Sequence, residues 1–227
     1  MADSNLTAHN DDSASGELRL LMVNSQLRTT GVSDIAVLAA FLAVPRERFA
    51  SAATPALAYL DRDAPAVGAK DRKLLAARTL GRLLQAAQPK RGERALDVGG
   101  GSGYSAALLA ALGCDVTALE SDAGAVAAAR EALANTPEVT VVQGDLGAGG
   151  PQGPFDVILI NGAFEAFPQS LVDRLAEGGR LVGLDASSGS QRGSLIEKSG
   201  ASYSEMSLFD AKAEVLPGLD RAPSFAF

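Results

Sequence analysis

The spacing of apolar side chains changes character near Arg94. Between Glu17 and Gln88, apolar residues recur every three or four positions, which is the period of a helix with one buried face. Beyond Arg94, short continuous apolar runs alternate with helical stretches, which is typical of strands buried on both faces. The pattern therefore predicts a helical N-terminal region followed by an α/β unit.

The N-terminal region is predicted to contain three helices. The first ends at Gly31, because glycine readily adopts the left-handed conformation that closes a helix. The second begins after Ser33, whose hydroxyl can cap free backbone N–H groups, and ends at Pro45. The third covers residues 71–88, and the proline-bearing segment 45–68 before it is predicted to be mostly irregular.

The second part of the chain reads as alternating strands and helices. Its continuous apolar runs indicate a mostly parallel sheet with helices on both faces. The predicted strands are residues 95–98, 116–119, 139–142, 157–160 and 181–184, and the predicted helices are residues 104–112, 123–134 and 168–176. Residues 191–227 have no strong helical period, so we expect one or two further strands there, as an antiparallel edge.

Composition narrows the classes of function that this fold can serve. The formal net charge of −7 disfavours a nucleic-acid partner, because an acidic surface repels phosphate backbones. The chain has a single cysteine, Cys114, which permits no internal disulfide and fits a reducing cytoplasm. It also has a single histidine, His9, which excludes metal sites built from several histidines. No apolar run approaches the about 20 residues of a membrane-spanning helix. Residues 1–16 are polar, do not resemble a secretory signal and are predicted to form a disordered tail.

A glycine-rich turn carries the strongest chemical signal. It reads Asp97-Val98-Gly99-Gly100-Gly101-Ser102-Gly103, follows a predicted strand and opens a predicted helix. Dinucleotide sites favour Gly-x-Gly-x-x-Gly, whereas the glycines here follow a Gly-x-Gly-x-Gly spacing. An acid at Asp97 would repel a pyrophosphate but suits the amino group of a methionine moiety. The turn therefore favours S-adenosylmethionine over NAD or another nucleotide, with a purely structural turn as the remaining alternative.

Two further acids lie where a nucleoside would need them. Glu120 ends the next predicted strand, where an acid can accept hydrogen bonds from both ribose hydroxyls, as it also does in NAD sites. Asp145 follows the third strand and is placed to meet the adenine amino group. Asn161 follows the fourth strand and either lines the pocket or caps a turn. The predicted cofactor-binding residues are Asp97, Gly99, Gly100, Gly101, Gly103, Glu120, Ser121, Asp145, Leu146 and Asn161.

Several motifs outside this turn match one family. They are Met22-Val23-x-x-Gln26-Leu27-Arg28 with Gly31-Val32-x-Asp34, Val44-Pro45-Arg46-Glu47-x-Phe49, Ala58-Tyr59-x-Asp61, Phe155-Asp156-Val157-Ile158 and Gly178-Gly179-Arg180-Leu181-Val182. Together with the Gly-Ser-Gly-Tyr end of the turn, they resemble the protein-L-isoaspartate O-methyltransferase family over nearly the whole chain after the tail. The N-terminal motifs carry most weight, because generic methyltransferases lack them.

The resemblance implies a fold and an activity. The fold is a class I S-adenosylmethionine-dependent methyltransferase, with a Rossmann-like, mostly parallel seven-stranded sheet in residues 93–227 and an N-terminal helical extension in residues 17–92. The activity is protein repair, by methylation of the free carboxylate of isoaspartyl residues. The implied partner is a protein or peptide carboxylate. We expect a cytoplasmic monomer that binds no nucleic acid, membrane or metal.

One loop departs from the family pattern. The family has Gly-x-Thr-x-Ser-x-Pro before the third helix, and this chain reads Gly68-Ala69-Lys70-Asp71-Arg72-Lys73-Leu74. Lys70 and Arg72 therefore occupy the two hydroxyl positions and are the candidate catalytic residues. The resemblance places Tyr59 and Asp61 beside the substrate, with a role in packing the loop as the alternative. Arg72, in the departing loop, is the third predicted substrate residue.

Three interpretations of the loop remain open. In the first, Arg72 or Lys70 holds the carboxylate acceptor by charge, and methyl transfer persists because it relies on proximity and alignment. In the second, the enzyme methylates a different small molecule or protein. In the third, the chain is an S-adenosylmethionine-binding module without isoaspartyl activity. A pocket that opens to a cleft bordered by Tyr59, Arg72 and Asn161 would favour an enzyme, and a closed pocket would favour the module.

Overall fold

The N-terminal region is helical, as predicted, but it also contains a short β-hairpin. The computed structural model describes residues 14–147 and 150–221. Gly31, with φ 89°, ends the first helical segment as expected. The elements of this region are α1 (residues 14–22), a π-helical turn (Val23–Leu27), a 3-10 turn (Arg28–Thr30), α2 (Ile35–Ala43), a second 3-10 turn (Arg46–Arg48), α3 (Pro55–Ala58), β1 (Ala64–Pro65), β2 (Lys73–Leu74) and α4 (Ala77–Ala87).

The second part of the chain forms the α/β unit. Every predicted strand and helix is present, with changed bounds. The elements are β3 (Arg94–Val98), α5 (Tyr104–Ala111), β4 (Asp115–Glu120), α6 (Ala123–Ala132), β5 (Val139–Gln143), β6 (Phe155–Phe164), α7 (Gln169–Val172), β7 (Leu175–Asp185), β8 (Arg192–Ser199) and β9 (Ser202–Asp210).

The seven longer strands form one sheet in the order β5-β4-β3-β6-β7-β8-β9. The five strands from β5 to β7 are parallel, and β8 and β9 extend the sheet antiparallel, which confirms the predicted edge. The chain winds outward from β3 in one direction and from β6 in the other. Ligands of such sheets bind in the crevice at the carboxyl ends of the two strands where the order reverses. The glycine-rich turn follows β3 and therefore borders this crevice.

Two apolar clusters cover the two faces of the sheet. Because side chains alternate along a strand, Ala95 of β3 belongs to one cluster and Leu96 to the other. The first cluster includes Phe41 of α2, Leu80 of α4 and other buried side chains of the helical region. The helical region thus shares a continuous core with the α/β unit, and its loops reach the crevice.

Four details of the predicted elements differ from the structure. Asp34 rather than Ser33 caps α2, with its Oδ1 accepting a hydrogen bond from Val37 N over 2.9 Å. The third helix begins at Ala77 instead of residue 71, because β2 pairs with β1. Helix α7 ends at Val172, since the chain enters β7 three residues later.

The fourth difference concerns the predicted tail. Residues 14–16 already belong to α1, whereas residues 1–13 lie outside the described part of the chain. The predicted C-terminal strand region is described as far as residue 221.

Candidate functional site

The turn between β3 and α5 is built on backbone conformations that favour glycine. Gly99 has φ 68° and Gly101 has φ 62°, in the left-handed region that side chains with a Cβ rarely adopt. A Cβ at Gly101 would also lie 2.9 Å from the Cβ of Ala66, in the loop that leads to β2. The turn is therefore tight and packs directly against the β1–β2 hairpin.

Asp97 is a fully buried carboxylate at the carboxyl end of β3. Its Oδ2 accepts a hydrogen bond from Ser105 Oγ over 2.9 Å, and its Oδ1 accepts one from Asn161 Nδ2 over 2.7 Å. Burial raises the pKa of Asp97 to about 6, against the lowering effect of these two hydrogen bonds. Within residues 14–147 and 150–221, no cationic side chain forms an ion pair with it. A ligand ammonium group would supply the missing positive charge.

Glu120, at the end of β4, is surrounded by hydrogen-bond donors. Its side chain is 3% exposed. One oxygen, Oε2, accepts a hydrogen bond from Gly101 N over 3.0 Å. The other, Oε1, accepts from Ser121 N at 2.6 Å, Asp122 N at 3.0 Å, Arg72 Nε at 3.2 Å and Ser121 Oγ at 3.3 Å. The acid that sequence reasoning assigned to ribose binding thus ties the glycine turn to the start of α6 and to Arg72.

Arg72 reaches Glu120 from the last residue of the β1–β2 loop. Its backbone is held by a hydrogen bond from Ala66 N to Arg72 O of 2.9 Å. Its Nη2 also donates to Ser121 Oγ over 3.1 Å. Lys70, the other candidate from this loop, is exposed. Arg72 therefore lies in the predicted site, whereas the Lys70 side chain faces solvent.

Leu216 closes the site from the opposite side, and sequence reasoning missed it. Segment 214–219 pairs with the end of β6 through hydrogen bonds from Ala163 N to Glu214 O of 2.9 Å and from Leu216 N to Ala163 O of 3.0 Å. A Cβ at Gly99 would lie 2.6 Å from Leu216 Cδ1. The space bordered by Arg72, Asn161 and Leu216 has a volume of about 10 Å³. The site is closed in this structure.

Comparison with known proteins decides the family. The family model described as protein-L-isoaspartate(D-aspartate) O-methyltransferase matches residues 20–213. A protein-L-isoaspartate O-methyltransferase of Koribacter versatilis is 40% identical over 168 residues, which cover 72% of this chain and 74% of the relative. One from Bordetella avium is 38% identical over 201 residues, which cover 86% of this chain and 74% of the relative. The chain belongs to the protein-L-isoaspartate(D-aspartate) O-methyltransferase family.

Solved structures agree with this family at the level of the fold. A protein-L-isoaspartate O-methyltransferase superposes with a TM-score of 0.77 at 23% identity, covering 91% of this chain and 67% of that one. A putative protein-L-isoaspartate O-methyltransferase of Plasmodium falciparum, solved with S-adenosyl-L-homocysteine, superposes with a TM-score of 0.73 at 24% identity. The superposition covers 88% of this chain and 98% of that one. The predicted family resemblance, the class I Rossmann-like fold and the class of enzyme, a methyltransferase, are confirmed.

Within this methyltransferase, most predicted cofactor residues lie together. Asn161 lines the site, because its Nδ2 donates to Asp97 Oδ1 and to Val98 O, the latter over 3.3 Å. Leu146 is buried and lies beside Gly99. Asp145 is exposed at the end of β5, where its Oδ1 accepts a hydrogen bond from Gly147 N of 2.8 Å.

Gly100 and Gly103 are placed by packing. A Cβ at Gly100 would collide with the Asp97 carboxylate, so only glycine lets this acid lie beneath the turn. Gly103 is the residue before α5, and a Cβ there would lie 2.6 Å from Leu133 Cδ1. Gly103 thus faces the end of α6 rather than Asp97 and Glu120.

The three residues predicted to border the substrate are not brought together. Tyr59 is 5% exposed, and its hydroxyl donates to Glu47 and accepts from Arg19 Nε over 3.2 Å. Burial raises the pKa of Tyr59 to about 12. Asp61 forms an ion pair with Arg78 at the surface. Tyr59 and Asp61 thus have partners other than Arg72 and Asn161, and the cleft bordered by Tyr59, Arg72 and Asn161 stays a prediction.

A larger cleft lies next to the closed site. It has a volume of about 930 Å³ and runs between the start of α4 and the β8–β9 edge. Lys73 and Asp63 line both this cleft and the small space beside Asn161. The charged side chains of the cleft are Arg62, Lys73, Arg78, Arg82, Arg192 and Lys212, with Asp61, Asp63 and Asp210. An excess of basic groups thus lines the approach to the site, on a chain whose net charge is −7.

Among residues 14–147 and 150–221, no helix combines the length and the apolar character that crossing a bilayer requires.

Proposed function

We propose that this chain is an S-adenosylmethionine-dependent O-methyltransferase that methylates the free carboxylate of isoaspartyl residues in proteins or peptides. The observation that carries the proposal is the placement of two buried carboxylates, Asp97 and Glu120, on either side of the tight glycine turn. Asp97 lies at the carboxyl end of β3, where the strand order reverses, and Glu120 lies at the carboxyl end of the neighbouring strand β4. Family membership over residues 20–213 supplies the class of acceptor.

The residues of the site fit S-adenosylmethionine. The buried Asp97 carboxylate, which has no cationic partner among the described side chains, suits the ammonium group of the methionine moiety. Glu120 is placed for the ribose hydroxyls, and Leu146 and Asp145 lie at the end of β5 on the adenine side. Gly99 and Gly101, whose φ angles lie in the left-handed region, let the backbone approach the ligand closely. When bound, the cofactor supplies an electrophilic methyl group.

A carboxylate acceptor needs no general base, because it is already ionised at neutral pH. The protein then has to hold the acceptor oxygen in line with the methyl group, and such alignment accounts for much of the barrier reduction in transfer reactions. Arg72 lies at the position of the family's second loop hydroxyl, and its guanidinium offers a planar fork of N–H donors that matches the two oxygens of a carboxylate. We assign it the role of carboxylate clamp, with the exposed Lys70 as the second candidate.

One observation favours the alternative function, an S-adenosylmethionine-binding module without isoaspartyl activity. The space beside Asn161 is closed to about 10 Å³, and Arg72 is already bonded to Glu120. A site that stayed closed to acceptors would bind the cofactor as a ligand only. A methyltransferase with a different protein or small-molecule acceptor is the further alternative.

The test is a calorimetric titration with S-adenosylhomocysteine, followed by a transfer assay. The acceptors are an isoaspartyl peptide and the aspartyl peptide of the same sequence. We expect saturable binding and transfer to the isoaspartyl peptide alone. Binding without transfer to either peptide would favour the module or a different acceptor, and absence of binding would refute the proposed cofactor.

Other features of the proposed function remain predictions. We propose a monomer that acts in the cytoplasm on protein or peptide substrates and binds no nucleic acid. The basic side chains of the 930 Å³ cleft support a polypeptide acceptor, because the cleft adjoins the site and is large enough for several residues of an extended chain.

A further inference from the structure

Oxygen Oε1 of the Glu120 carboxylate has no acceptor capacity left for a ligand, whereas Oε2 accepts one hydrogen bond. An ionised carboxylate offers about four lone-pair positions on its two oxygens. Glu120 already accepts five hydrogen bonds, four of them on Oε1. A ribose with two vicinal hydroxyls needs both oxygens as acceptors. At least one present donor must therefore leave before Glu120 can hold a ribose.

Arg72 is the donor best able to leave. Three of the five donors are backbone N–H groups, of Gly101, Ser121 and Asp122, and they are fixed by the glycine turn and by the start of α6. The Ser121 hydroxyl donates over 3.3 Å from a side chain adjacent in sequence. Arg72 instead reaches Glu120 from a loop 48 positions away, through a long side chain. The guanidinium can move while the loop backbone, held by Ala66, stays in place.

Departure of Arg72 would also open the space that an acceptor needs. Arg72 borders the 10 Å³ space beside Asn161. Its side chain therefore both occupies an acceptor position of Glu120 and restricts the size of that space. Lys73, the next residue, points to the other side and pairs with Glu214 of the segment that carries Leu216. The adjacent hairpin residues Arg72 and Lys73 thus contact the two walls of the closed site.

We infer that Arg72 is a gate residue that binding of the cofactor ribose displaces from Glu120. Once displaced, the guanidinium is free to bind the carboxylate of the acceptor. The cofactor therefore binds before the acceptor. The inference rests on the proposed function, since it requires a ribose-bearing ligand at Glu120.

Removal of the gate is expected to tighten cofactor binding. The variant is Arg72→Met, which keeps the aliphatic stem but has no donors. The matched control is Arg180→Met, which removes an arginine whose similarly shielded ion pair, with Glu93, lies next to the start of β3. We expect S-adenosylhomocysteine to bind Arg72→Met about tenfold more tightly than wild type, because the ligand no longer displaces an ion pair that is largely shielded from water. Arg180→Met is expected to match the wild type.

The order of binding gives a second readout that a merely structural role would not change. Titration of an isoaspartyl peptide into the wild type is expected to show binding only when S-adenosylhomocysteine is present. In Arg72→Met, peptide binding is expected to be weak with or without it. Arg72→Lys, which keeps a cation, is expected to restore part of the peptide binding, and it decides the question if Arg72→Met fails to fold.

The outcomes separate the gate from the proposed function. Equal dissociation constants for S-adenosylhomocysteine in the wild type, Arg72→Met and Arg180→Met would overturn the gate and leave the cofactor assignment intact. Peptide binding to the wild type that does not depend on S-adenosylhomocysteine would overturn the binding order. No binding of S-adenosylhomocysteine to any of the proteins would overturn both the gate and the proposed cofactor.

Discussion

Asn161 Nδ2 donates a hydrogen bond of 2.7 Å to Asp97 Oδ1 and so joins β6 to the end of β3 at the point where the strand order reverses. Ser105, on α5, holds the other oxygen of the same carboxylate. Asp97 is thus positioned by two neutral donors, and a cationic ligand group would be the first positive charge to reach it. Because the carboxylate is fully buried, its ionisation makes both the free energy of unfolding and the affinity for a cationic ligand depend on pH.

The first prediction concerns the stability of Asp97→Asn. Burial raises the pKa of Asp97 from 3.8 to about 6, so the folded state disfavours the ionised form. The free energy of unfolding is therefore reduced as pH rises from 4 through 6, and the reduction is complete above that range. A shift of this size corresponds to about 3 kcal/mol. We expect urea denaturation to show that Asp97→Asn is more stable than wild type at pH 7.5 and that the gain disappears near pH 4.

A lower stability of Asp97→Asn at pH 7.5 would contradict this reasoning, since it would mean that the carboxylate stabilises the fold. The control is Asp156→Asn, at a partly exposed position on β6. It should change the free energy of unfolding little, because the amide oxygen of asparagine can still accept the hydrogen bond of 2.8 Å that Asp156 Oδ2 accepts from Arg94 N.

The second prediction is a pH dependence of cofactor binding. An ammonium group pairs with the ionised form of Asp97, so protonation of the carboxylate competes with the ligand. We expect the dissociation constant of S-adenosylhomocysteine to be flat above pH 7 and to rise below pH 6 by up to about tenfold per pH unit. Calorimetric titrations between pH 5 and pH 8 would measure it. In Asp97→Asn the binding should be weaker and this pH dependence absent; a wild-type profile flat over the whole range would refute the pairing.

The third prediction separates backbone strain from packing at the glycine turn. Gly101 and Gly178 have similar left-handed φ angles, 62° and 69°, but a Cβ at Gly101 meets Ala66 at 2.9 Å, whereas a Cβ at Gly178 has nothing within 4 Å. Gly178→Ala is expected to lower the free energy of unfolding by about 1–2 kcal/mol, from backbone strain alone. Gly101→Ala should lower it by about 3 kcal/mol or more, because overpacking is added. Equal losses in chemical denaturation would show that the Ala66 contact is unimportant.

The fourth prediction tests the segment that closes the site. Leu216 is 3% exposed and belongs to the apolar cluster that contains Leu146 and Leu219. Leu216→Ala should lower the free energy of unfolding by about 2–5 kcal/mol, through lost burial and the resulting cavity. Leu21→Ala, at a position 60% exposed on α1, is the matched control and should change it by less than about 0.5 kcal/mol. A similar small effect at both positions would mean that segment 214–219 is not packed as the structure shows.

Much of the fold was predictable because the relevant signals are local. The apolar runs of β3, β4 and β6 and the helices between them follow from periodicity alone, since strands buried on both faces require continuous apolar residues. Element ends were less predictable. Residues 73–74 carry a helical pattern but form β2, because they pair with residues 64–65, and a local pattern does not record such a partner.

The sequence by itself determined the glycine turn, the acids at its two sides and the family. The requirements of this turn are local: positive φ angles at Gly99 and Gly101, and an acid, Asp97, at the end of a strand. Local requirements of this kind are recorded in the sequence as particular residue types at a fixed spacing. Only the tertiary structure decided that Arg72 bonds Glu120, 48 positions away, and that Leu216 packs on Gly99. These contacts join segments that are distant along the chain. Their formation depends on how the hairpin and segment 214–219 pack on the sheet, and no residue spacing encodes that packing.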